Sequence, residues 1–358
     1  MARRIHCVLG GQIHSDFARQ ITTGFCELSR AGVVELAFEA RRPAPGLQKP
    51  LVEAIIEGRR VVYDLRDGNN LFQSDVFDPE CFDRELDKVR TYFKRSCDPP
   101  HYERLRNSGK IRPLGLSYKV SSRHNTVDRG LRPLVLRRLV KGAIERNRLA
   151  ATLLKLQGGR RVWVECFEQP PESDGHPAVL FMARLWDPRG VPDGEGRRQR
   201  EALNEMRAAC VRAGRTAFGP RFIGGLFVDE YSKRQAPDCL LPSENQSDKH
   251  RFLERVRRAG VCVATTGLHG SIGWKMAEYV PASKAIVSEP LLRTLPGSFS
   301  PGVNYLEFTS PEGFVKVTER LLADPELRSA MNRANWDYYQ SWVRPSALVL
   351  KTIGVVLD

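Results

Sequence analysis

The segment Thr265-Thr266-Gly267-Leu268-His269-Gly270-Ser271-Ile272-Gly273-Trp274-Lys275-Met276-Ala277-Glu278-Tyr279 holds the densest set of residues able to bind and polarise a ligand. The apolar run Val261-Cys262-Val263 leads into Gly267, Gly270 and Gly273, and then into a helical spacing pattern. Glycine lets a backbone come close to a ligand, and the free N–H groups at a helix start favour an anion such as phosphate. Ser271 is placed to cap that helix or to meet the anion, and Lys275 adds a mobile positive charge one turn further on. Glu278 lies about two turns from the start, where a carboxylate could accept hydrogen bonds from a ribose diol. Ile272, Met276 and Tyr279 form a buried stripe that leaves Lys275 and Glu278 on other faces. The loop is neither G-x-G-x-x-G nor a P-loop, and a tight turn with an exposed Lys275–Glu278 pair is the competing reading.

Three other places carry reactive types. Gly10-Gly11-Gln12-Ile13-His14 follows the first apolar run. The near-neutral titration of His14 suits it to orient an acceptor or act as a base, and a histidine there equally well caps the next helix. Asp64, with Arg66 and Asp67 just beyond it, ends the run Val61-Val62-Tyr63-Asp64, and ligands of α/β sheets bind at such strand ends. That makes Asp64 a candidate general base, with turn chemistry around Gly68 as the alternative. Tyr92-Phe93-Lys94-Arg95 mixes rings and charge, which fits sugar stacking or a helix end with two buried rings.

The elements that must position these residues alternate along the chain. Strands are expected at Ile5–Leu9, Val33–Glu39 and Val61–Asp64, with helices over about 15–30, 50–57 and 78–94. Arg112–Val120 reads as extended and Arg161–Phe167 as a further strand. After the polar, Pro- and Gly-containing stretch 168–177 the alternation restarts. It gives strands at Ala178–Leu185, Arg221–Val228, Val261–Thr265, Lys284–Ser288 and Asn304–Phe308. Helices are expected at Arg197–Ala213, Lys249–Arg258, Ser271–Val280, Pro311–Leu322, Pro325–Ser341 and Pro345–Val355. Strands separated by helices imply doubly wound parallel sheets. A chain of 358 residues exceeds one ordinary core, so two domains of about 150–200 residues are expected. The division is 1–170 and 177–344, with a last helix over 345–358 packing back on the first domain.

The residues after the glycine-rich loop carry a resemblance. Glu278-Tyr279-Val280-Pro281-Ala282-Ser283-Lys284-Ala285-Ile286-Val287-Ser288-Glu289-Pro290 resembles the donor-site region of GT-B glycosyltransferases of the group 1, family 4-like set. The similarity continues through Asn304-Tyr305-Leu306-Glu307-Phe308, Ser310-Pro311-Glu312 and Leu321-Leu322-Ala323-Asp324-Pro325-Glu326-Leu327-Arg328. It is specific over about 260–345, extends more weakly back to 178 and is architectural before that. The resemblance implies two Rossmann-like domains facing a cleft and transfer of a sugar from a nucleoside-diphosphate-sugar to a glycan, lipid-linked or other acceptor. It implies no metal ion, and no cofactor beyond the nucleotide sugar as co-substrate. Glu278 would bind the ribose hydroxyls. Ser271 and the backbone N–H groups of Ile272 and Gly273 would meet the diphosphate, with Gly270 and Lys275 in the same loop and helix. Arg184 stands where the family has a basic residue that stabilises the departing diphosphate. One departure is plain: the family's first glutamate, eight positions before the second, is Gly270 here, which leaves the donor sugar and the stereochemistry open. A sugar-nucleotide epimerase or a non-catalytic relative is the alternative on the same architecture.

Charge separates the remaining classes. The net charge is +14, and residues 131–161 alone hold nine Lys/Arg against Glu145. Apolar residues between 134 and 156 recur near helical spacing, so a basic amphipathic helix is expected there. Such a helix reads as the solvated face of an ordinary helix, as peripheral docking on anionic lipid at the inner face of a membrane, or as a means of gathering a phosphorylated substrate. No interleaved aromatic platform accompanies it, so nucleic acid is not the expected partner. No apolar run of about 18 residues or more is present, and the eight cysteines show no C-x-x-C pair. Buried thiols in a reducing cytoplasm are the expectation.

Overall fold

Val179-Leu180-Phe181-Met182-Ala183 is apolar at every position because both faces of its sheet are covered. Leu180 and Met182 enter one buried cluster with Cys262, Ala264 and Ile286, while Val179, Phe181 and Ala183 enter another with Val261, Val263 and Val287. The computed structural model describes residues 3–39, 51–71, 77–127, 161–171 and 177–358. These residues form two α/β domains, each on its own mostly parallel sheet.

The first sheet contains β1 (Ile5–Gly11), β2 (Val34–Phe38), β3 (Leu51–Ile56), β4 (Arg59–Asp64), β5 (Thr91–Lys94) and β6 (Ile111–Pro113), ordered β2-β1-β3-β4-β5-β6. β3 runs antiparallel to β1 and β4, and the other pairings are parallel. The second sheet contains β7 (Val179–Ala183), β8 (Phe222–Leu226), β9 (Val261–Ala264), β10 (Ala285–Ser288) and β11 (Leu306–Glu307). Its order is β11-β10-β9-β7-β8 and every pairing is parallel.

Three expected elements are corrected. The helix over 50–57 is strand β3. Glu57 and Gly58, at φ of 46° and 77°, make a tight turn that returns the chain along β4, which is how two-residue hairpins match strand twist. The helix over 78–94 stops after α2 (Pro79–Asp87), whose cap Asp78 accepts from the Cys81 N–H, and the aromatic remainder is β5. The strand over 161–167 is a single bridge, Ser121 to Trp163, followed by a helical turn over Val164–Phe167.

The helices that frame the site are α1 (Arg19–Arg30), α3 (Gly194–Phe218), α4 (Lys249–Arg258) and α5 (Trp274–Tyr279). After α6 (Pro311–Ala323) and α7 (Pro325–Tyr338), the chain crosses to the first domain as α8 (Pro345–Leu357). Leu348, Val349, Ile353 and Val356 of α8 share a core with Phe25 and Tyr63, and the Tyr63 and Thr352 hydroxyls lie 2.9 Å apart. Gly24 of α1 permits this approach, since a Cβ there would lie 2.2 Å from the Pro345 carbonyl oxygen. Residues Leu116, Tyr118, Val120, Val164 and Phe167 pack in the same cluster as Met276, Tyr279 and Tyr338, so one core joins the two domains. Among the described residues no helix is long and apolar enough to cross a membrane. The basic segment 134–156 lies outside the described residues.

Candidate functional site

In an open α/β sheet a ligand crevice forms outside the carboxyl ends of neighbouring strands whose connections diverge. β7 and β9 meet this condition, and a cavity of about 310 Å³ opens at their ends. Arg184 and Trp186 from the β7 end, Thr265 from the β9 end, Gly267, Ser271 and Gly273 from the turn, and Lys275 from α5 line it. The first domain contributes Phe17 and Asp67. A second cavity of about 790 Å³ lies on the other side of the 267–271 turn, between the domains. Its walls include Arg66–Asn70, Gln199, His269, Gly270 and Arg293. Both volumes fall within or near the about 300–1,000 Å³ typical of small-molecule sites.

The smaller cavity is strongly cationic. Arg184 is exposed at its mouth, its guanidinium 6.0 Å from the Trp186 ring centre and 5.8 Å from that of Phe227. The Lys275 ammonium lies 5.0 Å from Phe227 and 5.4 Å from Phe252. No described residue accepts a hydrogen bond from it. Burial lowers its pKa to about 8, with Lys249, Arg207 and Arg184 pushing the same way against Glu278. In the same wall, Arg207 of α3 is 7% exposed and ties the two strand ends together. It donates to the Arg184 carbonyl at 2.6 Å, the Thr266 carbonyl at 2.8 Å and the Thr265 hydroxyl at 3.2 Å. Its own burial lowers the guanidinium to about 10, opposed by Glu289. A charge held in low dielectric with unspent donors binds an anion strongly.

The glycine turn is shaped by close approaches. A Cβ at Gly273 would stand 2.9 Å from the Thr265 carbonyl, and one at Gly267 would stand 2.5 Å from the Ser271 hydroxyl. His269 and Gly270 both have positive φ, 59° and 65°, and a Cβ at Gly270 would meet Arg293 at 3.2 Å. Among the described residues nothing accepts from the N–H of Ile272 or Gly273. The Ile272 carbonyl accepts from Arg95 at 2.8 Å.

Arg184, Ser271, Gly273 and Lys275 are thus brought together around one cavity, while Gly270 faces the other and Ile272 is 9% exposed beside them. Ser271 does not cap the helix: α5 begins at Trp274, with Gly273 in the cap position and no side-chain cap. Glu278 is 4% exposed, lines neither cavity, and accepts from Lys249 at 2.5 Å. His14 is exposed in the turn before α1 and lines neither cavity.

Asp64 is corrected from general base to anchor. It is fully buried and accepts from Arg66 at 2.9 and 2.8 Å and from the Tyr92 hydroxyl at 2.6 Å, with the Lys94 ammonium 3.2 Å away. Burial alone would raise its carboxyl, but Lys94, Arg66 and Tyr92 outweigh it and hold the pKa below the ordinary value. Such a group has neither access to a substrate proton nor affinity for one. Its role is to fix Arg66, which also donates to the Asn70 carbonyl at 3.1 Å and so shapes the loop facing the larger cavity.

The stretch read as sugar stacking or as a helix end with two buried rings is strand β5, whose Tyr92 and Phe93 rings are buried. Sequence reasoning missed Arg207, Lys249 and Arg293, and it named Arg95 only as part of that stretch. Arg95 pairs with Asp67, lies 4.6 Å from the Trp274 ring centre and bonds Ile272, so it links the domains at the turn. Arg293 reaches the opposite way, to the Asp98 carboxylate at 2.8 Å, the Ser96 hydroxyl at 3.2 Å and the His269 carbonyl at 2.6 Å.

The chain matches no protein-family model and no curated protein sequence. Solved structures do resemble it at low identity. The C-terminal domain of a glycosyl transferase group 1 family protein from Francisella tularensis is 12% identical with a TM-score of 0.33, over 49% of this chain and 95% of that one. A pneumococcal O-GlcNAc transferase in complex with UDP and GlcNAc is 11% identical, with a TM-score of 0.39, over 82% of this chain and 50% of its own. A UDP-GlcNAc 2-epimerase from Neisseria meningitidis, bound to UDP-GlcNAc, is 13% identical, with a TM-score of 0.38, over 76% and 63% respectively. The chain therefore spans about half the length of the pneumococcal protein.

Proposed function

We propose that this chain is a glycosyltransferase that holds a nucleoside-diphosphate-sugar in the β7–β9 cavity and passes the sugar to an acceptor in the larger cavity. One observation supports this above the others: Arg184 and Lys275 converge on a crevice at the strand ends, and the Lys275 ammonium has no hydrogen-bond acceptor among the described residues. In this reading the bond between the anomeric carbon and a diphosphate oxygen breaks while an acceptor hydroxyl bonds to that carbon and gives its proton to the departing diphosphate oxygen. Arg184 and Lys275 meet the negative charge that grows on the departing diphosphate, where preorganised cations are most effective. Glu278 contacts the ribose once Lys249, 37% exposed at its side chain, turns from the carboxylate toward the phosphates. The protein cations carry the charge stabilisation without a metal ion. The acceptor is a glycan, a lipid-linked molecule or another hydroxyl compound.

Incubation with UDP-, GDP- and ADP-sugars, with and without glycan acceptors, tests the reading. Nucleoside diphosphate should be released only when acceptor is present, and a chelator should leave the rate unchanged. Arg184→Ala and Lys275→Ala should each lower kcat/KM by roughly 100-fold, the loss typical of one charge-stabilising group. Epimerised donor without diphosphate release would replace transfer by the epimerase reading, and full activity in both variants would move the site elsewhere.

A further inference from the structure

The two cavities meet at two residues that line both, Asp67 and Leu268. Asp67 is also the one carboxylate among the described residues that lines either cavity. We propose that Asp67, supplied by the first domain, is the group that grips hydroxyls of the transferred sugar. The inference rests on the donor reading above and adds to it a specificity residue from the opposite side of the cleft.

The placement follows from the turn that separates the cavities. If the diphosphate lies against Arg184 and Lys275, the next group along the donor stands where the crevices join, beside Leu268 and Asp67. The turn itself offers no carboxylate there, and its Leu268 side chain is apolar. Gly270 sits at φ of 65°, and a Cβ would press on Arg293 at 3.2 Å, so a larger residue at 270 is strained as well as crowded. Across the cleft the backbones come close: a Cβ at Gly68 would lie 3.6 Å from His269. This brings the loop after β4 to the same spot. Asp67 is 36% exposed at its side chain, so one face remains open to a ligand while Arg95 holds the other. Arg95 is itself fixed by the Ile272 carbonyl and by Trp274. A carboxylate held this way keeps lone pairs for two neighbouring hydroxyls, and charge-assisted bonds of that kind are roughly twice as strong as neutral ones. Asn69 and Asn70 on the same loop give the larger cavity a polar, uncharged wall suited to further hydroxyls.

The test compares each nucleotide with its sugar conjugate, so that it separates the sugar from the diphosphate. Affinities for UDP, GDP and ADP and for their glucose and N-acetylglucosamine conjugates are measured by calorimetry on wild type, Asp67→Asn and Asp67→Ala. In wild type the preferred conjugate should bind at least as tightly as its bare diphosphate. In Asp67→Ala the conjugate should lose about tenfold to 100-fold, the range for bonds to a charged group, while the bare diphosphate changes less than about twofold. Asp67→Asn, which keeps an acceptor for Arg95, should fall between them. Equal losses for diphosphate and conjugate, or no loss for either, would overturn the inference and leave the donor site standing. Failure of wild type to bind any of the nucleotides would remove the donor reading and this one with it.

Discussion

Lys275 carries its charge into a place where burial disfavours it, and this makes binding and stability respond to pH in opposite directions. An unfolded lysine titrates near 10.5, and the folded one near 8. Between those values the unfolded chain holds more protons, so the stability of the free protein should rise with pH across the window. Affinity for a nucleoside diphosphate should instead fall, because the ammonium that meets the phosphates is lost. The ligand's own last phosphate ionisation, near about 6, is complete by then. Calorimetry with UDP from pH 7 to 10 should show affinity dropping towards tenfold per unit above pH about 8. Lys275→Arg should flatten the curve, and parallel curves in both proteins would dissociate Lys275 from the ligand. Much of this site is readable from sequence because its residues are neighbours: Gly267, Ser271, Gly273 and Lys275 fall within nine positions. Arg207 is not readable, since α3 carries Arg197, Arg198, Arg200, Arg212 and Arg215 as well and only burial distinguishes it. The reverse error occurs at Asp64. Its strand end is evident, but the three partners that hold it are assembled from a neighbouring strand, β5, and the loop after β4.

Packing between elements gives a sharp contrast between two glycines on the α1–α8 contact. A methyl at Gly24 would enter the Pro345 carbonyl and the Val349 side chain at 2.2 and 2.5 Å. Gly24→Ala should destabilise by about 3 kcal/mol, the upper part of the range for overpacking a tight contact. A Cβ at Gly354 of α8 would have nothing within 4 Å, and Gly354→Ala should stabilise by about 0.5–1 kcal/mol through helix propensity. Urea denaturation of the two variants checks both signs, and equal shifts would refute the close approach. Element type is legible wherever one period dominates, as in α4, whose bounds Lys249–Arg258 match the expected ones. It is lost at β3, where burial alternates through Val52, Ala54 and Ile56 but Leu51 and Ile55 are apolar as well, so the sequence shows no alternation and the run reads as a helix. The Glu57-Gly58 pair between two apolar runs is the turn signal that could have corrected it.

At the scale of the molecule, the domains are joined by a shared core and by a polar strap. Arg293 is the centre of the strap, 11% exposed at its side chain and bound to Asp98, Ser96 and the His269 carbonyl. Arg293→Ala leaves a partly buried Asp98 without its cation, which should cost about 2–4 kcal/mol. Hydrogen exchange should then quicken at residues 268–271 and 96–98 together, and quickening at one segment alone would argue against a single strap. Charge distribution was the whole-molecule property most visible from composition, yet the cations that face the site are a small subset chosen by fold. The position of α8 has a consequence for synthesis. Its apolar face completes the core around Phe25 and Tyr63, but residues 345–357 leave the ribosome only after the whole second domain has been made. The nascent first domain must therefore wait with one flank of its sheet uncovered, vulnerable to chaperones and to neighbouring chains. Its folding ends only when the tail of the chain arrives to close it.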